Sequence, residues 1–175
     1  HQQGRRMATA PADRHKSGVI TDLSFLDSCN AHVRELYSYW DERRAGRVMP
    51  LRSDINPAAF PRHLPGILLV DVRWEPMEFI YRVVGTREVE ARGCNPTGKP
   101  VAGNWYGSDQ DRVLDNYRYV ATEASHLYDY DPFRTKDGHF LIDESLFMPL
   151  SFTGARVDQV LVYSHYEDLW RKHTP

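Results

Sequence analysis

Between His139 and Leu150 the apolar side chains Phe140, Ile142, Leu146, Met148 and Leu150 occupy even positions, while Asp143 and Ser145 fall on the odd ones. A period of two is that of a β-strand with one buried face. Glu144 breaks the pattern, since it is the one polar group on the apolar parity. A second run, Arg156 to Tyr166, follows the connection Ser151-Phe152-Thr153-Gly154, so the two runs are expected to form a hairpin that organises the core.

The rest of the chain supplies elements to pack on it. Over 28–44 the positions Val33, Leu36, Tyr37 and Trp40 follow i, i+3, i+4, i+7, and Gly46 lies just beyond, which predicts an amphipathic helix. Its stripe must be buried on its own sheet or on a second copy, and both remain open. Asn56 and Pro57 predict a short helix to about Arg62, stopped by Pro65-Gly66. Strands are expected at 67–73 and 78–84 around the turn Trp74-Glu75-Pro76, then a short helix over 87–92 closed by Gly93. The proline- and glycine-rich stretch 94–107 is expected to be irregular. A helix over 109–124 follows, with Val113, Tyr117, Val120, Ala121 and Ala124 along one side, then a strand over 126–133 and a turn at Lys136-Asp137-Gly138.

With 175 residues, 41% of them hydrophobic, the chain suits one domain with a substantial core. Residues 1–22 are expected to be a flexible tail and 23–175 the domain. Met7 is a candidate natural initiator, with residues 1–6 then left from cloning. The net charge of −2 gives no global attraction to nucleic acid, and no apolar run predicts membrane insertion. Cys29 and Cys94 form no CxxC pair, and the eight histidines lack the short spacing of a zinc site, so no metal is expected and a reducing cytoplasm fits best.

The order of two strands, helical connection and three strands is that of a PAS domain, α+β, with a five-stranded antiparallel sheet, short helices on one face and here an N-terminal amphipathic helix. Local sequence strengthens the resemblance: Tyr39-Trp40, Gly46-Arg47, Pro50, Arg52, Asp54-Ile55 with Pro57, Tyr81-Arg82 with Gly85-Thr86, Gly93, Thr97-Gly98, and Glu144 with Leu146 and Pro149-Leu150. Over about 26–166 the chain resembles a bacterial family of small, largely uncharacterised PAS proteins in which the domain makes up nearly the whole chain. The resemblance implies a sensory or signalling role through a small ligand, a partner protein or both. It supplies no catalytic residue.

PAS domains include haem and flavin binders, but neither cofactor is favoured by the residues. Cys94 stands in Arg92-Gly93-Cys94-Asn95-Pro96 rather than a photoactive Asn-Cys-Arg-Phe-Leu type motif, and the haem-ligand candidates His126 and His139 have surface or core explanations. Asp129 and Asp131, alternating with tyrosines, are read as a strand's solvent face. Glu144 is the most informative residue, because a carboxylate on a buried face needs a partner: Arg82, Arg118, a tyrosine hydroxyl or a ligand. It is expected to point into the cavity beneath the helices, with Arg82, Trp105, Tyr117, Arg118, Tyr128 and Met148 as the other candidate ligand contacts. A homodimer is expected, with Val33, Leu36, Tyr37 and Trp40 as candidate interface. The reading is a non-enzymatic, stand-alone sensor. Its alternatives are a small acid/base enzyme using Glu144 and a ligand-free interaction adaptor.

Overall fold

The computed structural model describes residues 18–168. The expected tail lies largely outside them. Its last part does not: Gly18–Ile20 forms a strand, β1, paired antiparallel to the run predicted at 126–133. A three-residue strand leaves too little periodicity to be read from sequence.

The remaining strands are β2 (Ile67–Arg73), β3 (Glu78–Val84), β4 (Leu127–Arg134), β5 (Phe140–Leu150) and β6 (Gln159–Asp168). All pairings are antiparallel, in the order β1-β4-β5-β6-β2-β3. The five predicted strands are therefore present, in a PAS-like α+β sheet with one more strand at its edge. β6 starts three residues later than predicted. The preceding loop is closed by Asp158, whose Oδ2 accepts from the Phe152 N–H at 2.6 Å.

Helix α1 (Ala31–Arg44) is capped by Asn30, whose Oδ1 accepts from the His32 N–H at 2.9 Å, and it ends at Ala45 in the left-handed region. α2 spans Thr86–Arg92 and α3 spans Gln110–Glu123. The short helix predicted to reach Arg62 is one 3-10 turn, Pro57–Ala59. Gly93 closes α2 with φ +73°, as a C-terminal glycine does. Gly85 has an ordinary φ of −62° and is required for another reason: a Cβ there would lie 2.4 Å from the Pro65 carbonyl oxygen.

Helices cover both faces of the sheet. α1 packs on β5 and β6 from one side, and α3 packs on β4, β5 and β6 from the other. On the α1 side lie Tyr128, Glu144, Leu146, Met148 and Tyr163; on the α3 side lie Asp129, Asp143, Ser145, Phe147 and Ser164. Both sets are buried. The odd parity of β5 is thus no solvent face, and Asp129 and Asp131 are likewise buried beneath α3. The connection after α2 runs along the outer edge of β3, where Gly98 N–H donates to Tyr81 O at 2.7 Å and Tyr81 N–H to Lys99 O at 3.0 Å. Among the described residues no helix is long and apolar enough to cross a membrane.

The stripe Val33, Leu36, Tyr37 and Trp40 is buried within its own chain, at 0%, 1%, 6% and 2% exposure. Trp40 Nε1–H donates to the Pro149 carbonyl at 3.0 Å. These four residues are therefore core, not a dimer interface, because the free face of the sheet beneath them takes the stripe.

Candidate functional site

The α1 face of the sheet holds Glu144, not the cavity. Its Oε1 accepts from the Tyr128 hydroxyl at 2.8 Å and from the Asn30 N–H at 2.8 Å. Asn30 also reaches His165 Nε2 with its amide nitrogen at 3.2 Å. Tyr128 stacks on Phe25 with centroids 5.2 Å apart. Burial, then the neighbouring Glu144 carboxylate, pushes the Tyr128 hydroxyl pKa well up, so it stays protonated and donates. The carboxylate thus fastens the start of α1 to the sheet, where the helix dipole favours a negative charge.

Of the seven candidate contacts only Tyr117 lines the cavity beneath the helices. Met148 and Tyr128 are core on the α1 side. Arg82 is exposed and pairs with Asp71 at 2.8 Å; Arg118 is exposed and pairs with Asp115 at 2.9 Å. Trp105 is 36% exposed in the connection before α3. Of the histidines weighed for haem, His126 packs on Phe25 and Tyr37 on the α1 side, and His139 is exposed beside the β4–β5 turn. Cys94 is exposed.

The cavity is polar. Between α2, α3 and the odd parity of β5 it is lined by Glu88, Arg92, Asp129, Asp131, Asp143, Ser145 and Ser164, with Tyr81, Tyr106, Tyr117 and Tyr166 around them. About 30 Å³ is free, room for roughly one or two waters.

Its groups fall into three linked units. Glu88, on α2, is fully buried; its Oε2 accepts from the Tyr166 hydroxyl at 2.6 Å and pairs with Arg92 one turn on. The Arg92 guanidinium lies over the rings of Tyr81 and Tyr106, at 5.5 and 5.1 Å from their centroids. Burial works against the Arg92 charge, but Glu88, Tyr81 and Tyr166 together outweigh it and raise the guanidinium pKa. Burial likewise pushes the Glu88 carboxyl up against the pull of Arg92; with two donors on one oxygen it is the ionised partner.

The second unit joins Asp129 to Arg112 on α3 and to Asn116 Nδ2, 2.6 Å away. Asp131 Oδ1 lies 3.7 Å from Arg112 Nη1, and its Oδ2 accepts from the Ser108 N–H at 2.9 Å. The third unit is Asp143, which accepts from Ser145 Oγ at 2.9 Å; Ser145 Oγ in turn lies 2.8 Å from Ser164 Oγ. Among the described residues Asp143 has no salt-bridge partner. Burial, and after it the charge of Glu88, raises its pKa well above the usual carboxylate range, which favours the protonated form.

Sequence reasoning missed Glu88, Arg92, Asp143 and Ser145 as cavity groups. A readable signal was present in α2, where Glu88 and Arg92 stand at i, i+4.

Comparison with known proteins gives a family for this arrangement. No curated protein matches the chain. A solved structure described as an RNA-binding light-oxygen-voltage receptor aligns with a TM-score of 0.43 and 17% identity, over 66% of this chain and 35% of that one. This chain thus spans about a third of that receptor. The sequence profile of the PAS domain matches residues 29–161, from the start of α1 into β6, and the chain belongs to the PAS domain family.

Proposed function

We propose that this sensory domain takes as its input a small molecule rich in hydrogen-bond donors, of the amine or guanidine class, in the cavity beneath α2 and α3. One observation carries the reading: Glu88 Oε1 is enclosed in the cavity wall and makes no hydrogen bond within the described residues, so it has acceptor capacity left. Charge supports the same class. Four carboxyl groups, Glu88, Asp129, Asp131 and Asp143, stand against two guanidinium groups, Arg92 and Arg112. A bound cation would replace the proton on Asp143.

The present free space suits water alone, so uptake needs a group to move. Tyr106 is the candidate, half-buried in the connection before α3 and packed edge-on against Phe133 and Tyr166. The acid/base-enzyme reading loses its motive, since Glu144 is engaged by Asn30 and Tyr128 on the other face of the sheet.

Native mass spectrometry of protein purified from its own host, followed by calorimetry with small amines and guanidines beside matched carboxylates, tests the proposal. Saturable binding of the cations with proton release, lost in Glu88→Gln, is the expected result. No retained mass and no binding at millimolar cation would leave the ligand-free adaptor in front.

A further inference from the structure

A second cluster lies on the opposite side of the sheet, away from the cavity. His32 and Glu35 stand one turn apart on α1, and His63 lies in the turn that leads to β2. One ligand atom from each lies within 4.8 Å of the others. His63 Nε2 is 3.0 Å from Glu35 Oε2, and His32 Nδ1 is 3.7 Å from the same oxygen. Ligands about 2.0–2.2 Å from one tetrahedral ion would be roughly 3.3–3.5 Å apart, and the two distances bracket that value.

Two further features point to a ligand. His63 is 7% exposed, and neither of its ring nitrogens makes a hydrogen bond of acceptable geometry within the described residues. A buried imidazole needs some partner for its polar atoms. Glu35 and His63 also line an open groove of about 310 Å³ with Tyr39 and Phe60, which leaves the cluster accessible from outside.

We propose that His32, Glu35 and His63 form a binding site for a divalent transition-metal ion of the zinc class. Two imidazole nitrogens and one carboxylate select such ions over magnesium or calcium, which prefer oxygen alone. Three protein ligands leave a position for water or for a donor arriving through the groove. The ion would tie the first turns of α1 to the segment entering β2. The His32 ring also stacks on His165, centroids 5.8 Å apart, and His165 contacts Asn30, the cap of α1. The site would therefore act on the same helix start that Glu144 holds.

The test uses the full chain in chelator-free buffer. Calorimetry with Zn²⁺ should give one equivalent per chain, and Co²⁺ should give visible ligand-field bands. His32→Gln and Glu35→Gln change a half-buried and an exposed side chain, so the fold should survive, as circular dichroism would verify. Each should weaken binding at least about tenfold. Added Zn²⁺ should raise the Tm of the unsubstituted protein and not that of the variants. Absence of saturable binding at 100 µM Zn²⁺, on the order of 5.5 kcal/mol of affinity, would overturn the site. So would binding that survives both substitutions, which would place the ion on other histidines such as His1, His15 or His173.

Discussion

Glu144 Oε1 lies 2.8 Å from the backbone nitrogen of Asn30, which is more than a hundred residues earlier in the chain. One carboxylate oxygen thus takes a helix-start N–H and the Tyr128 hydroxyl together. Neither donor is an arginine, and this fixes what substitution should do. Glu144→Gln keeps an acceptor oxygen and should cost about 1–2 kcal/mol. Glu144→Leu leaves two donors without a partner and should cost about 2–5 kcal/mol. Urea melts of the two variants decide; a leucine variant as stable as the glutamine one would contradict the pairing.

The Glu88–Arg92 pair in the cavity wall is enclosed, so its partners depend on each other. Arg92→Met should destabilise by about 3–5 kcal/mol, because it leaves the Glu88 charge buried without its counter-ion. Adding Glu88→Leu should recover a large part of that loss. Denaturant melts of the two singles and the double give the coupling. Additive losses would mean the two groups act separately.

Much of the fold was legible. The two-residue period located β5, the helical spacings located α1 and α3, and the turn residues placed Gly93 at the end of α2. The site was not, and β5 shows why. Asp143 and Ser145 on one parity look the same in sequence whether that face meets water or a covered polar cavity. The pattern reports polarity, not burial. The two amphipathic helices held the missing information: two apolar stripes need two faces of the sheet, so neither parity of β5 could be free. With that step, Glu144 could have been assigned to α1 or to α3, and only its distance to Asn30 chooses. Likewise His32 and Glu35 show their shared helix face at i, i+3, but nothing in the sequence brings His63 to them.

Asp143 gives the protein a pH signature. A carboxyl whose pKa is raised in the folded state binds its proton more tightly there than in the unfolded chain. Stability from this group is therefore highest at low pH and falls as pH rises above the unfolded value of about 3.8, toward the raised folded value. Glu88, Asp129, Asp131, Ser145 and Tyr166 are its neighbours in the cavity. Asp143→Asn removes the titration and keeps an acceptor for Ser145. The Tm of the variant relative to the unsubstituted protein should rise between pH 4 and pH 8. An offset constant across that range would show that Asp143 is already ionised when folded.

Two glycines with different reasons should respond differently. At Gly85 a Cβ would meet the Pro65 carbonyl at 2.4 Å and the Leu64 carbonyl at 2.5 Å, both backbone atoms that cannot turn aside. Gly85→Ala should cost about 1–3 kcal/mol or more through overpacking. At Gly93 no atom lies within 4 Å of the added carbon, but φ is +73°. Gly93→Ala should cost about 1–2 kcal/mol from backbone strain alone. Thermal melts should separate them, and the Gly85 variant alone should displace the Leu64-Pro65 backbone.

Trp40 decides whether α1 belongs to the domain or to an assembly. Its side chain is 2% exposed, its indole N–H donates to Pro149 O on β5, and the Arg44 guanidinium lies 5.4 Å from its ring centroid. All of these contacts are within one chain. Trp40→Ala should therefore destabilise the fold by about 3–5 kcal/mol, as large aromatic truncations in a core do. Because the stripe faces the chain's own β5 and β6, the loss should be independent of protein concentration. Melts at widely separated concentrations, read beside light scattering, check this. A midpoint that falls on dilution in the unsubstituted protein, and no longer does so in the variant, would mean that Trp40 contributes to an interface between copies. Removing α1 altogether, by truncation before Leu51, should uncover Leu146, Met148 and Leu150, each fully buried beneath it, and the shortened chain should lose solubility.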